Sequence, residues 1–407
     1  MQKQKKKLGR QAVLLLSVHG MFAAANTFSA VFVNVYLWKI KHDFALIGWF
    51  VLAGQALSAA TFLAAGKWAK EGNKMNILRV GVAVSALFYL VILLLEKDAA
   101  RFAVLLGVLQ GTSLGLFWLA FNVVYFEITN PDNRDRFNGW AGFLGSAAGA
   151  VAPWAAGFLI TKIDDKIGYR VIFAISLGIF LAAAIASFFL KKHKIAGKFN
   201  WRYVPDLLQD QRNQWRRVIP ALAAQGVREG VFVFVIGLLV YVETKSELKL
   251  GNYSLITSAV STFSYWYIGK KLRRKFRGAG MLFGTLAMIA VILPFFWKFN
   301  FAMLLLFGIG TALFYPLFAI PMTSSVFDLI GANEQSARHR VELIIMRELG
   351  LNAGRMLGTI GFIALVSVTR SPTAINFFLL AIGSAPVLSW FFLRNGLLGK
   401  RARVDNS

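Results

Sequence analysis

The chain of 407 residues contains no cysteine and only four histidines. That excludes disulfides, thiol catalysis and thiolate metal sites. The histidines are too scattered for a zinc cluster, so no metal and no cofactor is expected. No phosphate-cradling loop of the Walker type occurs, which argues against ATP hydrolysis. No nucleophile–base constellation is visible either, so an enzyme is not expected. Acidic residues are few: 19 Asp and Glu face 45 Lys and Arg, a formal net charge of +26. The basic stretch MQKQKKKLGR precedes an apolar run with no small-residue cleavage site, so that run reads as a retained helix.

Apolar residues are abundant. They make up 57% of the chain, and the mean hydropathy is +0.59, a value soluble domains rarely reach. Long apolar runs fall at 11–37, 44–65, 75–95, 102–126, 138–161, 170–190, 217–242, 250–268, 279–297, 300–327, 343–368 and 373–393. Each is about long enough for a transmembrane helix, so the expected fold class is an all-α membrane protein with twelve spans. An even number returns both termini to one side. The tails and the loops at 66–79, 131–137, 191–217, 269–277 and 331–340 hold 31 of the 45 basic residues, and the alternate loops hold 11. This bias predicts a plasma (inner) membrane protein with both termini cytoplasmic. Nucleic acid is not an expected partner, and anionic membrane lipids are. Three basic residues belong to no loop: Arg228, Arg347 and Arg355.

The basic linker at 191–216 divides the chain into an N-terminal bundle, 1–190, and a C-terminal bundle, 217–407, of six spans each. The halves repeat one another. Gly48, Gly66 and Gly81 recur at one constant offset as Gly251, Gly269 and Gly284. FAVLL at 102–106 returns as FAMLL at 301–305, and Phe126-Glu127 returns as Phe327-Asp328. Parallel six-helix repeats mark one transporter architecture. YFEITNPDNR, 125–134, carries a tyrosine, a helix-closing glutamate, a proline and an arginine seven residues after the glutamate. With that signature the chain resembles the major facilitator superfamily along essentially its whole length. The loop GKWAKEGNK, 66–74, departs from the superfamily pattern, because Lys70 stands where an aspartate is usual. The resemblance implies two pseudo-symmetric bundles, alternating access, a monomer, and a cavity lined by the first, fourth, seventh and tenth helices.

Glu127 and Asp328 each close a helix at the cytoplasmic end, where a carboxylate opposes the helix dipole and needs a cation. Lys70, Lys74, Arg134, Arg273 and Arg277 are the candidate partners of a cytoplasmic gate. Ordinary surface ion pairs, worth about 0–1 kcal/mol, are the plainer reading. Gly145, Gly149, Pro153 and Gly157 share one helix face, as do Gly350, Gly354 and Gly358; four-residue spacing of small residues reads as close helix packing. The first set also resembles the superfamily's glycine- and proline-rich exporter helix, which tilts the expectation to efflux.

Arg228, Glu229, Arg347, Glu348 and Arg355 fall inside expected spans, with Asn352 beside them. A charge at mid-bilayer costs about 3 kcal/mol or more unless it faces protein or water. Three readings stay open. Glu229 and Glu348 are proton-coupling sites; or the arginines bind an anionic group on a substrate, since guanidinium forks match carboxylate and phosphate; or the set is a static network fixing helix packing. Three arginines against two glutamates leave one cation spare. The first half offers Asn26, Trp118, Asn122 and Tyr125 as an amide and aromatic wall, with His19 as a further proton-coupling candidate. A charged wall opposite an aromatic one suits an amphiphile. The expected function is secondary transport, favouring proton-coupled export by antiport of an amphipathic, anionic small molecule. The alternatives are a lipid or glycolipid flippase and a sugar-like importer, with a non-transporting receptor or membrane-embedded enzyme as the reading from another class.

Overall fold

A computed structural model describes residues 8–128, 134–163, 165–191, 198–369, 371–396 and 398, except the side chains at 126, 127, 134–136, 138, 165 and 166. Among the described residues every regular element is helical. Eleven helices are long and apolar enough to cross a membrane. The chain is a multi-pass membrane protein. The run expected at 250–268 is also a helix, 25 residues long, but Ser254, Thr257, Ser258, Ser261 and Thr262 dilute it below that set. Helix starts follow local chemistry: Asp43, Asn73 and Asn300 each accept a hydrogen bond from a first-turn amide, at 2.8, 3.3 and 3.0 Å.

The chain forms two compact units, Met1–Phe199 with Thr244–Leu255, and Asn200–Glu243 with Ile256–Ser407. The first contains α1 (Arg10–Lys41), α2 (Phe44–Glu71), α3 (Lys74–Leu95), α4 (Ala103–Ile128), α5 (Arg134–Lys162) and α6 (Asp165–Phe188). Lipid tails are as apolar as leucine, so van der Waals fit and hydrogen bonds must hold these helices together. Ser176 ties α6 to α1 by donating to the Ala25 carbonyl at 3.0 Å and lying 2.7 Å from the Ser29 hydroxyl. Residues 244–255, from the second sequence repeat, pack inside this unit. Glu247 is buried there and accepts hydrogen bonds from Lys39 Nζ at 3.0 Å and the Tyr169 hydroxyl at 3.1 Å.

The second unit holds the short linker helix α7 (Tyr203–Gln209), α8 (Trp215–Thr244), most of α9 (Glu247–Lys271), α10 (Arg277–Ala290), α11 (Phe301–Ile330), α12 (Glu334–Arg338), α13 (Arg340–Val368), α14 (Pro372–Ser384) and α15 (Pro386–Leu393). Proline has no amide hydrogen to continue the ladder, and Pro386 divides the last expected run into α14 and α15. The linker is anchored here: the Tyr203 ring stacks on His339 at 3.9 Å, and Glu342 accepts the Asn200 amide at 3.0 Å.

Helices α8 and α13 touch backbone to backbone. A Cβ at Gly226 would strike the Leu351 carbonyl, one at Gly354 the Ala223 carbonyl, and one at Gly358 the Val227 carbonyl. The small-residue stripe expected on α13 is therefore a packing seam. On α5 the expectation needs correction. A Cβ at Gly145 would meet nothing within 4 Å, whereas one at Gly157 would strike the Glu247 carbonyl. Spacing alone makes those two glycines look alike, and only Gly157 has a neighbouring backbone.

Candidate functional site

The α8–α13 seam sets the geometry of the charged cluster. Glu229 on α8 and Arg355 on α13 leave their backbones on facing helices held apart only by glycine. Their side chains meet, with Arg355 Nη2 3.0 Å from Glu229 Oε2. Arg355 Nη1 lies 4.0 Å from Glu348 Oε2, and Glu348 pairs with its neighbour Arg347. The result is an alternating chain, Glu229–Arg355–Glu348–Arg347. Asn352 braces it from the same helix, donating to the Glu348 carbonyl at 2.9 Å and accepting from Arg355 Nη1 at 3.4 Å.

Three further residues reach Glu229 that the sequence expectations did not include. Gln225 Nε2 and the Tyr315 hydroxyl both donate to Glu229 Oε1, each at 2.7 Å. Tyr265 on α9 is the third, close enough to interact electrostatically with the carboxylate. Gln225 was legible, because it lies four residues before Glu229 and so on the same face. Tyr315 comes from α11, and nothing local to α8 or α13 announces it.

Two acids and two arginines are thus paired, and the spare cation is Arg228. It is 5% exposed, and its Nε and Nη2 have no hydrogen-bond partner among the described residues. The guanidinium carbon instead lies 4.7 Å from the Phe232 ring centre and 5.8 Å from that of Tyr315. Cation–π contacts of a desolvated arginine are worth about 2 kcal/mol. A buried unsatisfied charge costs more than that, roughly 3–5 kcal/mol when a partner is removed. Arg228 is therefore a buried cation set among aromatic rings. Glu342, a further buried acid on α13, is engaged at the Asn200 amide. The paired side chains of Glu229 and Arg355 keep 22% and 29% exposure at mid-helix. Charges are not left facing hydrocarbon, so the exposed part of this pair is expected to meet water or other polar groups.

In the first unit, His19 lies on α1 among the rings of α4. It stacks on Phe121 at 4.7 Å and meets Trp118 edge-on at 5.8 Å. Asn26, Asn122 and Tyr125 are half-buried on the same two helices. The Asn26 and Asn122 amides make no side-chain hydrogen bond among the described residues. The Tyr125 ring packs 5.3 Å from Phe137.

The gate candidates are placed as follows. Asp328 pairs with Arg277 at 2.8 Å and with Arg274 at 3.7 Å. Arg273, the other partner expected, makes no ion pair among the described residues; the 3₁₀ turn Arg274–Phe276 aims Arg274 at the carboxylate instead. This pair is internal to its unit and Asp328 is 47% exposed, so it is a surface pair. Lys70 and Lys74 are buried at the α2–α3 junction. The side chains of Glu127 and Arg134 lie outside the described residues.

Comparison with known proteins agrees with this architecture. A family model described as Major Facilitator Superfamily matches residues 14–337. The chain is 38% identical over 400 residues to "Uncharacterized protein YqgE" of Bacillus subtilis (strain 168), covering 97% of this chain and 93% of that one. Among solved structures, a D-xylose-proton symporter aligns with TM-score 0.71 at 12% identity, over 94% of this chain and 98% of its own. A bacterial homologue of the iron transporter ferroportin, in an outward-facing state, aligns with TM-score 0.65 at 15% identity over the same shares. At those identities the likeness is one of fold.

Proposed function

The chain belongs to the Major Facilitator Superfamily and is a membrane transporter, and on that footing we propose that it is a proton-coupled secondary transporter of an amphipathic, anionic small molecule, working by alternating access with export as its direction. One observation carries the reading. A glutamate at mid-span is held by an arginine, a tyrosine and a glutamine, beside a buried arginine with no acid of its own. A carboxylate paired with an arginine stays ionised until something competes for that arginine or removes a donor. Such a group takes and gives up a proton as the site fills and empties. Glu229 is the principal proton site in this scheme, Glu348 the second, and His19 an accessory one. The direction rests on the glycine- and proline-rich character of α5. The inner membrane location with both termini cytoplasmic rests on the distribution of basic loops.

The test uses proteoliposomes of purified protein with a pH dye inside. Addition of amphipathic anions across an imposed pH gradient should move protons with the solute. Glu229→Gln should uncouple the two by tenfold or more, and Glu348→Gln should weaken coupling less. Coupling that survives both substitutions would end the proton assignment. Solute flux indifferent to the pH gradient in the wild-type protein would end proton coupling altogether.

A further inference from the structure

Tyr315 touches both halves of the charged cluster. Its hydroxyl donates to Glu229 at 2.7 Å, and its ring covers one side of the Arg228 guanidinium at 5.8 Å. Phe232 covers the other contact, at 4.7 Å. The Nε and Nη2 groups of Arg228 are hydrogen-bond donors with no acceptor among the described residues. An oxyanion that docks on this fork lies beside Tyr315 and competes with Glu229 for its hydroxyl. A hydroxyl turned to the anion no longer donates to Glu229. The carboxylate then keeps Gln225 and Arg355, loses its tyrosine donor, and gains a negative neighbour.

We infer that Arg228 is the anchor for a singly charged oxyanion carried on an apolar body, and that Tyr315 makes the binding of this anion and the protonation of Glu229 mutually reinforcing. The inference rests on the transport reading above and specifies its substrate class and the sense of its coupling. One charge follows from the balance: the three arginines of the cluster exceed its two glutamates by one. An apolar body follows from the rings around Arg228, where Phe232 packs 5.5 Å from Phe307 and Tyr315 packs 6.1 Å from Phe318. The groups facing Glu229 are Gln225 and Arg228 on α8, Tyr265 on α9, Tyr315 on α11, and Arg355 with Glu348 behind it on α13. Tyr315 is the one that also touches Arg228.

The proton comes from water on the side then open, adds to one Glu229 oxygen, and leaves to water on the other side with the anion. One negative charge and one positive charge cross together, so the cycle moves no net charge. The coupling is therefore cotransport. Export follows the solute's own outward gradient, with a proton leaving alongside it, in place of the antiport expected from the sequence.

Binding in detergent tests this without any need for transport. Octanoate and octyl sulfate, each singly charged across the pH range, serve as soluble probes, dilauroyl phosphatidylglycerol as the lipid source of the same chemistry, and octanamide as the neutral control. At least one anion should bind and octanamide should not. Affinity should rise about tenfold per unit fall in pH, one proton per anion, while Glu229 in the free protein is ionised. Arg228→Gln should lose at least about tenfold in affinity at every pH, and Arg338→Gln, whose exposed pair with Glu334 lies outside the cluster, should stay within about threefold. Tyr315→Phe keeps the ring, so it should still bind the anion, with the pH slope cut at least by half. That variant also serves should Arg228→Gln not fold. Binding of phosphatidylglycerol alone would support the site with a lipid as its source. No anion binding, undiminished binding in Arg228→Gln, or a wild-type affinity flat between about pH 6 and 8 would overturn the inference. If protons still accompany a neutral solute in proteoliposomes, the transport reading survives that failure.

Discussion

Gly354→Ala is a one-methyl change with two consequences. The added Cβ would overlap the Ala223 carbonyl oxygen and lie 2.8 Å from the Ala223 Cα. Backbone atoms cannot rotate away as a side chain can, so α8 and α13 must part by about 1 Å to restore van der Waals contact. Overpacking of this kind costs about 1–3 kcal/mol. The same displacement carries Arg355 away from Glu229, lengthening their 3.0 Å contact to about 4 Å. At an effective dielectric of about 20, that lengthening weakens the Coulomb attraction by roughly 1.4 kcal/mol. The sum, about 2–4 kcal/mol, corresponds to a melting temperature lower by roughly 5–10 °C. Tryptophan fluorescence on heating in detergent measures it. Gly145→Ala is the control, because its Cβ enters open space and should shift melting by no more than about 2 °C. Equal melting of the two variants would refute the seam, and with it the geometry that brings Glu229 to Arg355.

Arg355→Met should destabilise more than Glu229→Gln, by about 1–3 kcal/mol in melting experiments, because it leaves the Glu229 carboxylate without its cation, whereas glutamine still accepts from Tyr315 and Gln225. Glu247→Ala should cost about 2–3 kcal/mol, since it leaves the Lys39 ammonium and the Tyr169 hydroxyl without their buried acceptor. Asp328→Asn should cost at most about 1 kcal/mol, and that difference should vanish in high salt, as for any solvated pair. A salt-resistant loss in Asp328→Asn would mean that the pair with Arg277 and Arg274 is more than a surface contact.

The helical architecture was legible because the bilayer imposes its period on composition. Runs of about twenty apolar residues, the sign bias of the loops and the displaced copies of Gly48, Gly66 and Gly81 are all properties of the chain read in order. The α9 run was the weakest of the twelve for the same reason: its serines and threonines lower its hydropathy although it is helical. The charged residues of the site were also legible, since arginines at 228, 347 and 355 contradict their surroundings. Their wiring was not. Charge counting showed that one arginine was spare, without showing which.

Composition and periodicity therefore determined the membrane-spanning helices, the repeat and the identity of the ionisable residues in the spans. Tertiary structure decided that Arg355 answers Glu229 rather than Arg228 doing so, that Tyr315 joins the cluster from another helix, and that Arg274 rather than Arg273 meets Asp328. The reason is geometric. Neighbours at i and i+1 point about 100° apart on a helix, so Arg228 and Glu229 are adjacent in sequence and yet serve different surroundings. Which surroundings they meet depends on how closely α8 and α13 approach, and that distance is set where glycine meets a carbonyl on the facing helix.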